Sequence, residues 1–448
     1  MLIDITLSTL AEICDGQLAA DDQLFTDVVT DTRKIAKGAL FVAIKGERFD
    51  GHDFAQDAIN QGAVAVLSDR DLPNLPYVKV ADTVEAYGRI ARYIRDAFQG
   101  NIISITGSNG KTTVKDWLAQ SFTGKSVLKT RANLNNQIGV PQTLLELMPQ
   151  HEVAVIEAGT SFPGEIKKLS YSIYADVVIL TNASGSHFEG FGSLEGIAIE
   201  KGELITGAKA SATVILNADD GFFDYWCGLA AGRRVMSFGF SSTAHLYAKD
   251  IQLNAQTSHA VFCYQDQEVD VEIGCAGKHQ IANGMAVVLA LMATGTAFVD
   301  AVKVLRTPVQ VKGRLERLTT KNNALLINDC YNASPKSVEA AIDVLTMQPV
   351  EKTWLVLGAL GELGCQRDEI HASLGRYASA KNVSCLVSVG PIAAIAAKAF
   401  KDAGGEVVMC QDHSEAAAVI RSLNEAHAIL IKGSRSSQME NVIDIIMN

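Results

Sequence analysis

A glycine-rich turn between an apolar run and a helix-compatible run is the part of the sequence best suited to chemistry. The run Ile102 to Thr106 has the composition of a β-strand. It is followed by Gly107, Ser108, Asn109, Gly110, Lys111, Thr112 and Thr113. The N–H groups of such a turn, the dipole of the next helix and the Lys111 ammonium can bind phosphate, and Thr112 can reach a phosphate-bound magnesium ion. The pattern predicts a nucleotide-binding phosphate loop, although Ile105 stands where the general pattern has its first glycine.

Three further residues with suitable chemistry lie in the same segment. Glu157 directly follows a strand-like apolar run, and His187 follows the next such run after a short polar stretch. Lys201 lies in a predicted helix from Gly192 to Leu204. Because the carboxyl ends of parallel strands meet at one edge of a sheet, Glu157 and His187 are expected near the phosphate loop. Glu157 is a candidate magnesium ligand, whereas a helical lysine taken alone is usually only solvated.

Two pairs of basic residues lie in polar segments next to apolar runs elsewhere in the chain. Arg33 and Lys45 lie in polar turns near the N-terminus, and Lys432 and Arg435 follow the last strand-like run. Each pair could bind an anionic part of a substrate. The alternatives are an exposed turn with a solvated lysine for the first pair and a braced strand end for the second.

The overall composition is that of a globular protein with a substantial core. The chain has 448 residues, of which 48% are hydrophobic and 20% charged, and its formal net charge is -11. This charge argues against a nucleic-acid partner, which would need a basic face. The sequence shows no apolar run of membrane-spanning length and no basic region followed by an apolar core at its start. We therefore expect a cytoplasmic enzyme without membrane insertion, with its eight cysteines reduced and buried.

Strand-like and helix-like runs alternate along the whole chain, which predicts an α/β fold. The length predicts about three domains. We expect an N-terminal α/β substrate domain at 1–81, a central P-loop parallel-sheet ATPase domain at 82–312 and a C-terminal Rossmann-like parallel-sheet domain at 313–448. The strands of the two later domains are nearly continuous apolar runs, as expected for strands covered on both faces.

Eight motifs spread over the chain resemble those of the Mur ligases, the ATP-dependent amide-forming enzymes of peptidoglycan precursor synthesis. They are TDTRKIAKGALFVAIKGERFDGHDF, TGSNGKTT, NLNNQIGVPQTLL, EAGTSFPGEI, SHFEGFGSLEGIAIEKGEL, NDCYNASPKSVEAAI, VLGALGELG and IKGSRSSQMENV. Their order and spacing agree with the family. The segment Tyr331 to Pro335, together with the absence of an Asp-Asn-Pro-Arg box, resembles the member that adds a dipeptide.

The resemblance implies a reaction, its substrates and its cofactors. A carboxylate of UDP-N-acetylmuramoyl-tripeptide would attack the γ-phosphate of ATP, and the amine of D-alanyl-D-alanine would then displace phosphate from the acyl phosphate. Two Mg²⁺ ions are implied, with Thr112 and Glu157 on the first and His187 and Lys201 on the second. In similar enzymes the lysine is carbamylated, which requires a neutral amine. A monomer is expected.

The same resemblance assigns further residues to substrates. The ATP site would include Lys111 with the loop amides, Asn283 at the adenine, and four residues of the third domain, namely Arg314, Asp329, Tyr331 and Asn332. The UDP-sugar would be held by Thr30, Asp31, Arg33, Lys45 and Gly46. The peptide or the dipeptide would contact Asn135, Asn136, Lys432 and Arg435. Arg314 has an alternative role in a linker salt bridge.

Several other functions stay open at this stage. Another Mur ligase or a folylpolyglutamate synthase would share the mechanism, although the N-terminal segment argues against the latter. A P-loop kinase or GTPase would explain the phosphate loop but would leave His187, Lys201 and the third domain without a role. A non-catalytic nucleotide-binding scaffold would leave the candidate metal ligands unexplained.

Overall fold

A computed structural model of the protein describes residues 2–185 and 188–448, with residue 188 described by its backbone alone. Three large sheets follow one another along the chain, with five, nine and six strands. They lie within residues 17–79, 101–273 and 316–432, and we call them the first, central and third sheets. Within the described residues, no helix is both long enough and apolar enough to cross a bilayer.

The first sheet is small and mostly parallel, in the order β2-β7-β6-β5-β4. Only the β2–β7 pair is antiparallel, and β1 and β3 form a separate antiparallel pair. The elements are β1 (Ile5–Thr6), α1 (Leu7–Ile13), β2 (Gln17–Ala19), β3 (Leu24–Phe25), β4 (Asp27–Val29), β5 (Ala39–Val42), α2 (Ala55–Asn60), β6 (Ala65–Ser68) and β7 (Tyr77–Lys79).

The central sheet carries the phosphate loop in its middle, since its order is β16-β15-β14-β13-β12-β11-β8-β10-β9. Its elements are α3 (Thr83–Ala97), β8 (Asn101–Thr106), α4 (Lys111–Ser121), β9 (Val127–Lys129), α5 (Gly139–Leu145), β10 (Val153–Glu157), α6 (Glu165–Ile173), β11 (Val177–Leu180), α7 (Phe188–Phe191), α8 (Leu194–Thr206), β12 (Thr213–Asn217), α9 (Phe223–Ala230), β13 (Arg234–Gly239), β14 (Leu246–Leu253), β15 (Ser258–Tyr264), β16 (Gln267–Ile273), α10 (Lys278–Ala293) and α11 (Phe298–Lys303).

The strands around β8 are buried on both faces because their alternate residues enter two different cores. Ile102 packs in a core with α3, α5, α6 and α8, while Ile103 and Ile105 pack in a core with α4 and α10. The pairs from β9 to β14 are parallel, as predicted, but β14, β15 and β16 pair antiparallel. The predicted parallel strands are confirmed, and the sequence analysis did not anticipate the antiparallel extension at this edge.

The third sheet has the order β17-β18-β22-β19-β20-β21 and is parallel except for the edge pair β17–β18. Its elements are β17 (Glu316–Thr319), β18 (Leu325–Asp329), α12 (Pro335–Thr346), β19 (Lys352–Leu357), α13 (Arg367–Ala380), β20 (Cys385–Val389), α14 (Gly390–Asp402), β21 (Glu406–Cys410), α15 (His413–Arg421), β22 (His427–Lys432) and α16 (Glu440–Met447). The β18 and β22 strands lie side by side, so their carboxyl ends present polar residues together.

Two details of the sequence analysis are corrected by the structure. The α8 helix begins at Leu194 rather than Gly192, because the Ser193 hydroxyl accepts a hydrogen bond from Gly196 N at 3.0 Å and caps the helix there. All eight cysteines are free, as predicted, but Cys365 is exposed rather than buried.

Candidate active site

The turn between β8 and α4 needs glycine at two positions. At Gly107, an added Cβ would lie 1.9 Å from Thr181 Oγ1, so only glycine allows this approach to β11. Gly110 has φ of +88°, and a Cβ there would lie 2.5 Å from Asn283 Oδ1 on α10. The backbone of the turn is thus packed tightly between two neighbouring elements.

Residues after β11 hold the turn in shape. Thr181 Oγ1 donates a hydrogen bond to Asn109 O at 2.6 Å, and Asn182 Oδ1 accepts one from Asn109 N at 3.0 Å. Ser108 Oγ donates to Ser184 O at 2.9 Å. Three backbone or side-chain groups of the turn are therefore fixed by one neighbouring segment, which preorganises the loop for an anion.

Lys111 is the first residue of α4, and its side chain folds back so that the ammonium group lies against the turn. Lys111 Nζ donates a hydrogen bond to Gly107 O at 2.6 Å. Burial lowers the pKa of Lys111, the nearby Glu157 carboxylate opposes this shift, and the positive charge of Arg314 adds to it. The ammonium therefore lies where a phosphate would be surrounded by loop amides and further positive charge.

Glu157, at the end of β10, has a buried carboxylate in which one oxygen accepts hydrogen bonds from the protein. Its Oε1 accepts hydrogen bonds from Asn135 Nδ2 at 2.9 Å and from Thr112 Oγ1 at 3.3 Å. Within the part of the chain that the structure describes, its Oε2 is buried without a hydrogen-bond partner, and Lys115 Nζ lies 3.9 Å away. A buried oxygen without a partner costs free energy unless something binds it.

These two side chains fit a magnesium ion that also binds ATP. The Thr112 hydroxyl and the Glu157 carboxylate adjoin each other beside the phosphate loop. Among the described residues, no group of three or more His, Cys, Asp or Glu side chains is arranged for a metal. Mg²⁺ in nucleotide sites commonly takes one or two protein ligands and fills its shell with phosphate oxygens and water, so the donor set is suitable.

Lys201 is only 2% exposed, in the middle of α8. Burial and the positive charge of Lys111, opposed by the Glu200 carboxylate, together lower its pKa to about 7. The electrostatic effect of Lys111 indicates that the two amines face the same region. Lys201 itself does not line the large cavity described below. His187 lies outside the described residues.

Two residues of the third domain contact the phosphate loop, and a third packs against one of them. Arg314 Nη2 donates a hydrogen bond to Thr112 Oγ1 at 3.0 Å, and its guanidinium lies 4.4 Å from the centre of the Tyr331 ring. Ser334 Oγ donates to Asn109 Oδ1 at 2.8 Å. Residues more than 200 positions apart in sequence therefore meet at the predicted nucleotide site.

The polar ends of β18 and β22 form a buried ion pair next to this contact. Lys432 Nζ lies 2.5 Å from Asp329 Oδ2 and also donates to Asn332 O at 3.1 Å. Arg435 pairs with Glu440 at 2.7 Å and is much more exposed. Lys432 thus braces two strand ends, whereas Arg435 can still turn towards a ligand.

A cavity of about 830 Å³ lies between the central and third domains. Its wall includes most of the predicted nucleotide residues, namely Ser108, Asn109, Gly110, Lys111, Thr113, Asn283, Arg314, Asp329, Tyr331 and Asn332. It also includes the candidate metal ligand Glu157 and three of the residues predicted to contact the peptide or the dipeptide, namely Asn135, Lys432 and Arg435. The cavity is large enough for a nucleotide. Thr112 lies buried next to it and contacts both Glu157 and Arg314.

The remaining predicted residues lie outside this cavity. Thr30, Asp31 and Arg33 follow β4, where Asp31 and Arg33 form an ion pair at 2.8 Å. Lys45 and Gly46 are exposed shortly after β5. Asn136 Oδ1 accepts hydrogen bonds from 138 N and 139 N, so its side chain caps the start of α5.

The sequence analysis missed three residues that the structure places at or beside the site. Lys115 lies one helical turn after Lys111, a spacing that could have indicated the same face of α4. Asn182 belongs to the polar stretch from which only His187 was selected. Glu200 precedes Lys201, and no local pattern shows that its carboxylate is buried.

Comparisons with known proteins give one consistent family. The Mur ligase family catalytic domain matches residues 25–93, the Mur ligase middle domain matches residues 105–291, and the Mur ligase glutamate ligase domain matches residues 313–435. The three matches follow the order of the three sheets.

Relatives and solved structures extend this similarity over the full chain. The UDP-N-acetylmuramoyl-tripeptide--D-alanyl-D-alanine ligase of Escherichia coli is 36% identical, covering 99% of this chain and 98% of its own length. The Bacillus subtilis ligase of the same name is 34% identical with the same coverage. A crystal structure of MurF from Acinetobacter baumannii is 31% identical, with a TM-score of 0.92 over 100% of this chain and 99% of its own. MurF from Thermotoga maritima in complex with ADP is 28% identical, with a TM-score of 0.85 over 94% and 97%.

These matches confirm the predicted three-domain α/β fold and the resemblance stated on the motifs. They cover the phosphate loop, Glu157, Lys201 and the third-domain residues in one alignment that runs along almost the entire chain. The chain belongs to the Mur ligase family.

Proposed function

We propose that this protein is an ATP-dependent, ADP-forming carboxylate–amine ligase that joins D-alanyl-D-alanine to UDP-N-acetylmuramoyl-tripeptide in peptidoglycan precursor synthesis. The full-length similarity to ligases of that name carries the proposal. The cavity supports it, because residues of two domains surround the phosphate loop as an ATP-dependent ligation requires. We propose domain boundaries at 1–81, 82–312 and 313–448.

The phosphate loop would bind and orient ATP. The amides of residues 108–112 and the Lys111 ammonium would hold the β- and γ-phosphates, and Asn283, which lines the cavity, would contact the adenine. Arg314 would add positive charge from the third domain beside Thr112. These groups balance the repulsion between the triphosphate and the incoming carboxylate.

The reaction would then proceed in two steps. A substrate carboxylate oxygen attacks the γ-phosphorus and ADP leaves, giving an acyl phosphate. The amine nitrogen of the dipeptide adds to the acyl carbon, and the tetrahedral intermediate loses phosphate and a proton to give the amide. Enclosure between two domains excludes water, which would otherwise hydrolyse the acyl phosphate.

Thr112 and Glu157 would hold a first Mg²⁺, and His187 and Lys201 would contribute to a second. When bound, these ions would neutralise phosphate charge and stabilise the charge that develops on the transferred group. The residues also suit a carbamate on Lys201. With a pKa of about 7, roughly half of this amine is neutral at pH 7, the form that reacts with carbon dioxide.

The substrates would extend away from the nucleotide along the three domains. Thr30, Asp31, Arg33, Lys45 and Gly46 would bind the UDP-sugar at the first sheet. Asn135, Asn136 and Arg435 would contact the peptide or the dipeptide, and Lys432 would act mainly through its ion pair with Asp329. Because ATP and nucleotide-linked sugars are cytoplasmic substrates, we place the monomeric enzyme in the cytoplasm.

Phosphate release from ATP tests the proposal. Release should require both UDP-N-acetylmuramoyl-tripeptide and D-alanyl-D-alanine, and the product should gain the mass of the dipeptide minus water. Hydrolysis that needs no amine would instead indicate an NTPase, and no turnover with any nucleotide would indicate a binding scaffold.

Variants of Lys201 test the carbamate separately. Lys201→Ala should lose activity and regain part of it with short-chain carboxylic acids, which can occupy the place of the carbamate. Full turnover of Lys201→Ala without additives would refute a catalytic carbamate but not the ligase reaction.

A further inference from the structure

Glu200 is a buried carboxylate in α8 that the proposed mechanism does not use. It is 5% exposed and lies next to Lys201 in the sequence. Its two oxygens accept hydrogen bonds from another helix, with Gly164 N at 2.7 Å from Oε2 and Ile166 N at 2.7 Å from Oε1. Both amides belong to the start of α6.

The α6 helix has no capping side chain of its own. Its N-cap residue is Gly164, which has no side chain and a φ of +85°. The first amides of a helix need outside acceptors, and a carboxylate there is also stabilised by the helix dipole. Glu200 supplies this cap from a different helix, 36 and 34 residues away in sequence.

The loop that precedes α6 forms part of the active-site wall. Thr160 and Ser161 line the large cavity, three and four residues after Glu157. Glu165 Oε2 accepts hydrogen bonds from Ser161 N at 2.7 Å and from Phe162 N at 3.0 Å, so one carboxylate folds the loop locally. Glu200 fixes the end of the same loop to α8.

We propose that Glu200 is a positioning residue for the ligation reaction, because it holds Lys201 and the wall segment after Glu157 in a fixed relation. This inference rests on the proposed function. The candidate metal ligands Lys201 and Glu157 lie in α8 and at the end of β10. Glu200 is adjacent to Lys201, and its hydrogen bonds connect α8 to the end of the loop that follows Glu157. A shift of α8 against this loop would move Lys201 away from the phosphate loop.

The carboxylate cannot be replaced by an amide without loss. Two N–H donors face its two oxygens, whereas glutamine offers one oxygen and an NH₂ group that would face an N–H. Glu200→Gln therefore leaves one buried amide without an acceptor. Aspartate keeps the carboxylate but is one methylene shorter, so it can reach one amide and not both. Glu203→Gln is the matched control, since it makes the same charge change on α8 and, among the described residues, the Glu203 carboxylate is hydrogen-bonded only to Thr206 of the same helix.

Turnover per ATP-binding site in the full-length enzyme tests the inference. We expect Glu200→Gln to keep the number of sites and the KM for ATP within about twofold of wild type, while kcat per site falls at least tenfold. Glu200→Asp should be intermediate, and Glu203→Gln should match wild type. Because only intact sites are counted, a residue that merely stabilised the fold would leave kcat per site unchanged. An unchanged kcat per site in Glu200→Gln would overturn the proposal.

Hydrogen exchange provides a readout that does not depend on catalysis. In Glu200→Gln, and in Glu200→Asp if the first variant does not fold, at least one of the amides of Gly164 and Ile166 should exchange at least tenfold faster, with protection of β8 unchanged. Unchanged exchange at both amides would refute the coupling. If wild type shows no ligase activity, the proposed function fails, while faster exchange would still support the link between α8 and α6.

Discussion

Replacing Lys201 with methionine should stabilise the protein, and the gain should shrink as the pH rises. Lys201 is 2% exposed, and burial lowers its pKa from the ordinary 10.5 to about 7. One pKa unit corresponds to about 1.4 kcal/mol, so the charged amine costs the folded state about 5 kcal/mol. Methionine has a similar length and carries no charge, so it removes this cost.

The pH dependence follows from proton binding in the two states. Below pH 7 the amine is protonated in both the folded and the unfolded protein, and the whole cost is present. Between pH 7 and 10.5 the unfolded state binds more protons, so the stability of wild type rises with pH. The advantage of Lys201→Met should therefore fall from about 4 kcal/mol at pH 7 to about 2 kcal/mol at pH 9.

Urea unfolding at pH 7, 8 and 9 in carbon-dioxide-free buffer measures this difference. Trp226 is a suitable fluorescent reporter, because it is buried and its Nε1 donates to Ala198 O on α8 at 3.0 Å. Lys303→Met is the control, since Lys303 is a surface lysine paired with Asp300. A difference between Lys201→Met and wild type that stays constant from pH 7 to 9 would refute the reasoning.

Three further substitutions test the phosphate loop and the ion pair between Arg95 and Asp176. Lys111→Met should abolish acyl-phosphate formation while sugar-nucleotide binding stays within about twofold, as measured by trapping and by calorimetry, because the proposed sugar-nucleotide residues lie at the first sheet and not at the phosphate loop. Gly110→Ala should weaken ATP binding at least tenfold by calorimetry, because the residue has φ of +88° and its Cβ would lie 2.5 Å from an oxygen on α10. Arg95→Met should lower the free energy of unfolding by about 3 kcal/mol in urea, because the buried guanidinium is removed and partly buried Asp176 loses its ion-pair partner at 2.6 Å, keeping Lys209 and the Ile102 amide.

For each of these substitutions, one outcome would contradict the predicted effect. Equal loss of sugar-nucleotide binding in folded Lys111→Met would show that the loop is not specific to ATP. Gly124→Ala is the control for Gly110→Ala, since Gly124 also has positive φ, at +78°, but open space around its Cβ position. Equal effects of the two alanines would rule out the contact on α10. A change below about 1 kcal/mol in Arg95→Met would mean that the ion pair contributes little.

The parts of the site that could be predicted from sequence are those set by local patterns. The apolar runs before Gly107 and before Glu157 are local signals, so the phosphate loop and Glu157 were placed at strand ends, where the structure has them. The antiparallel strands β14 to β16 were missed because their half-exposed alternation is weaker than the continuous apolar runs around them.

Long-range contacts account for what the sequence could not reveal. Ser334 and Asn109 are 225 residues apart, and Glu200 and Gly164 are 36 apart. In a sequence, Lys115 and Glu200 look like ordinary charged residues of solvated helix faces. Their burial follows from the packing of α4 against β10 and of α8 against α6, which only the assembled fold determines.

The charges around the phosphate loop suggest why a third domain takes part in binding. Lys111 and Arg314 lie near each other, and their mutual repulsion contributes to the lowered pKa of Lys111. Moving the third domain onto the loop therefore costs electrostatic free energy unless an anion lies between the two cations. With a triphosphate in place, the same movement becomes favourable, since Arg314 and Lys111 both face negative charge. On the proposed function, this repulsion would couple nucleotide binding to the contact between the two domains, so that the water-excluding arrangement would be most stable with a phosphoryl group to transfer.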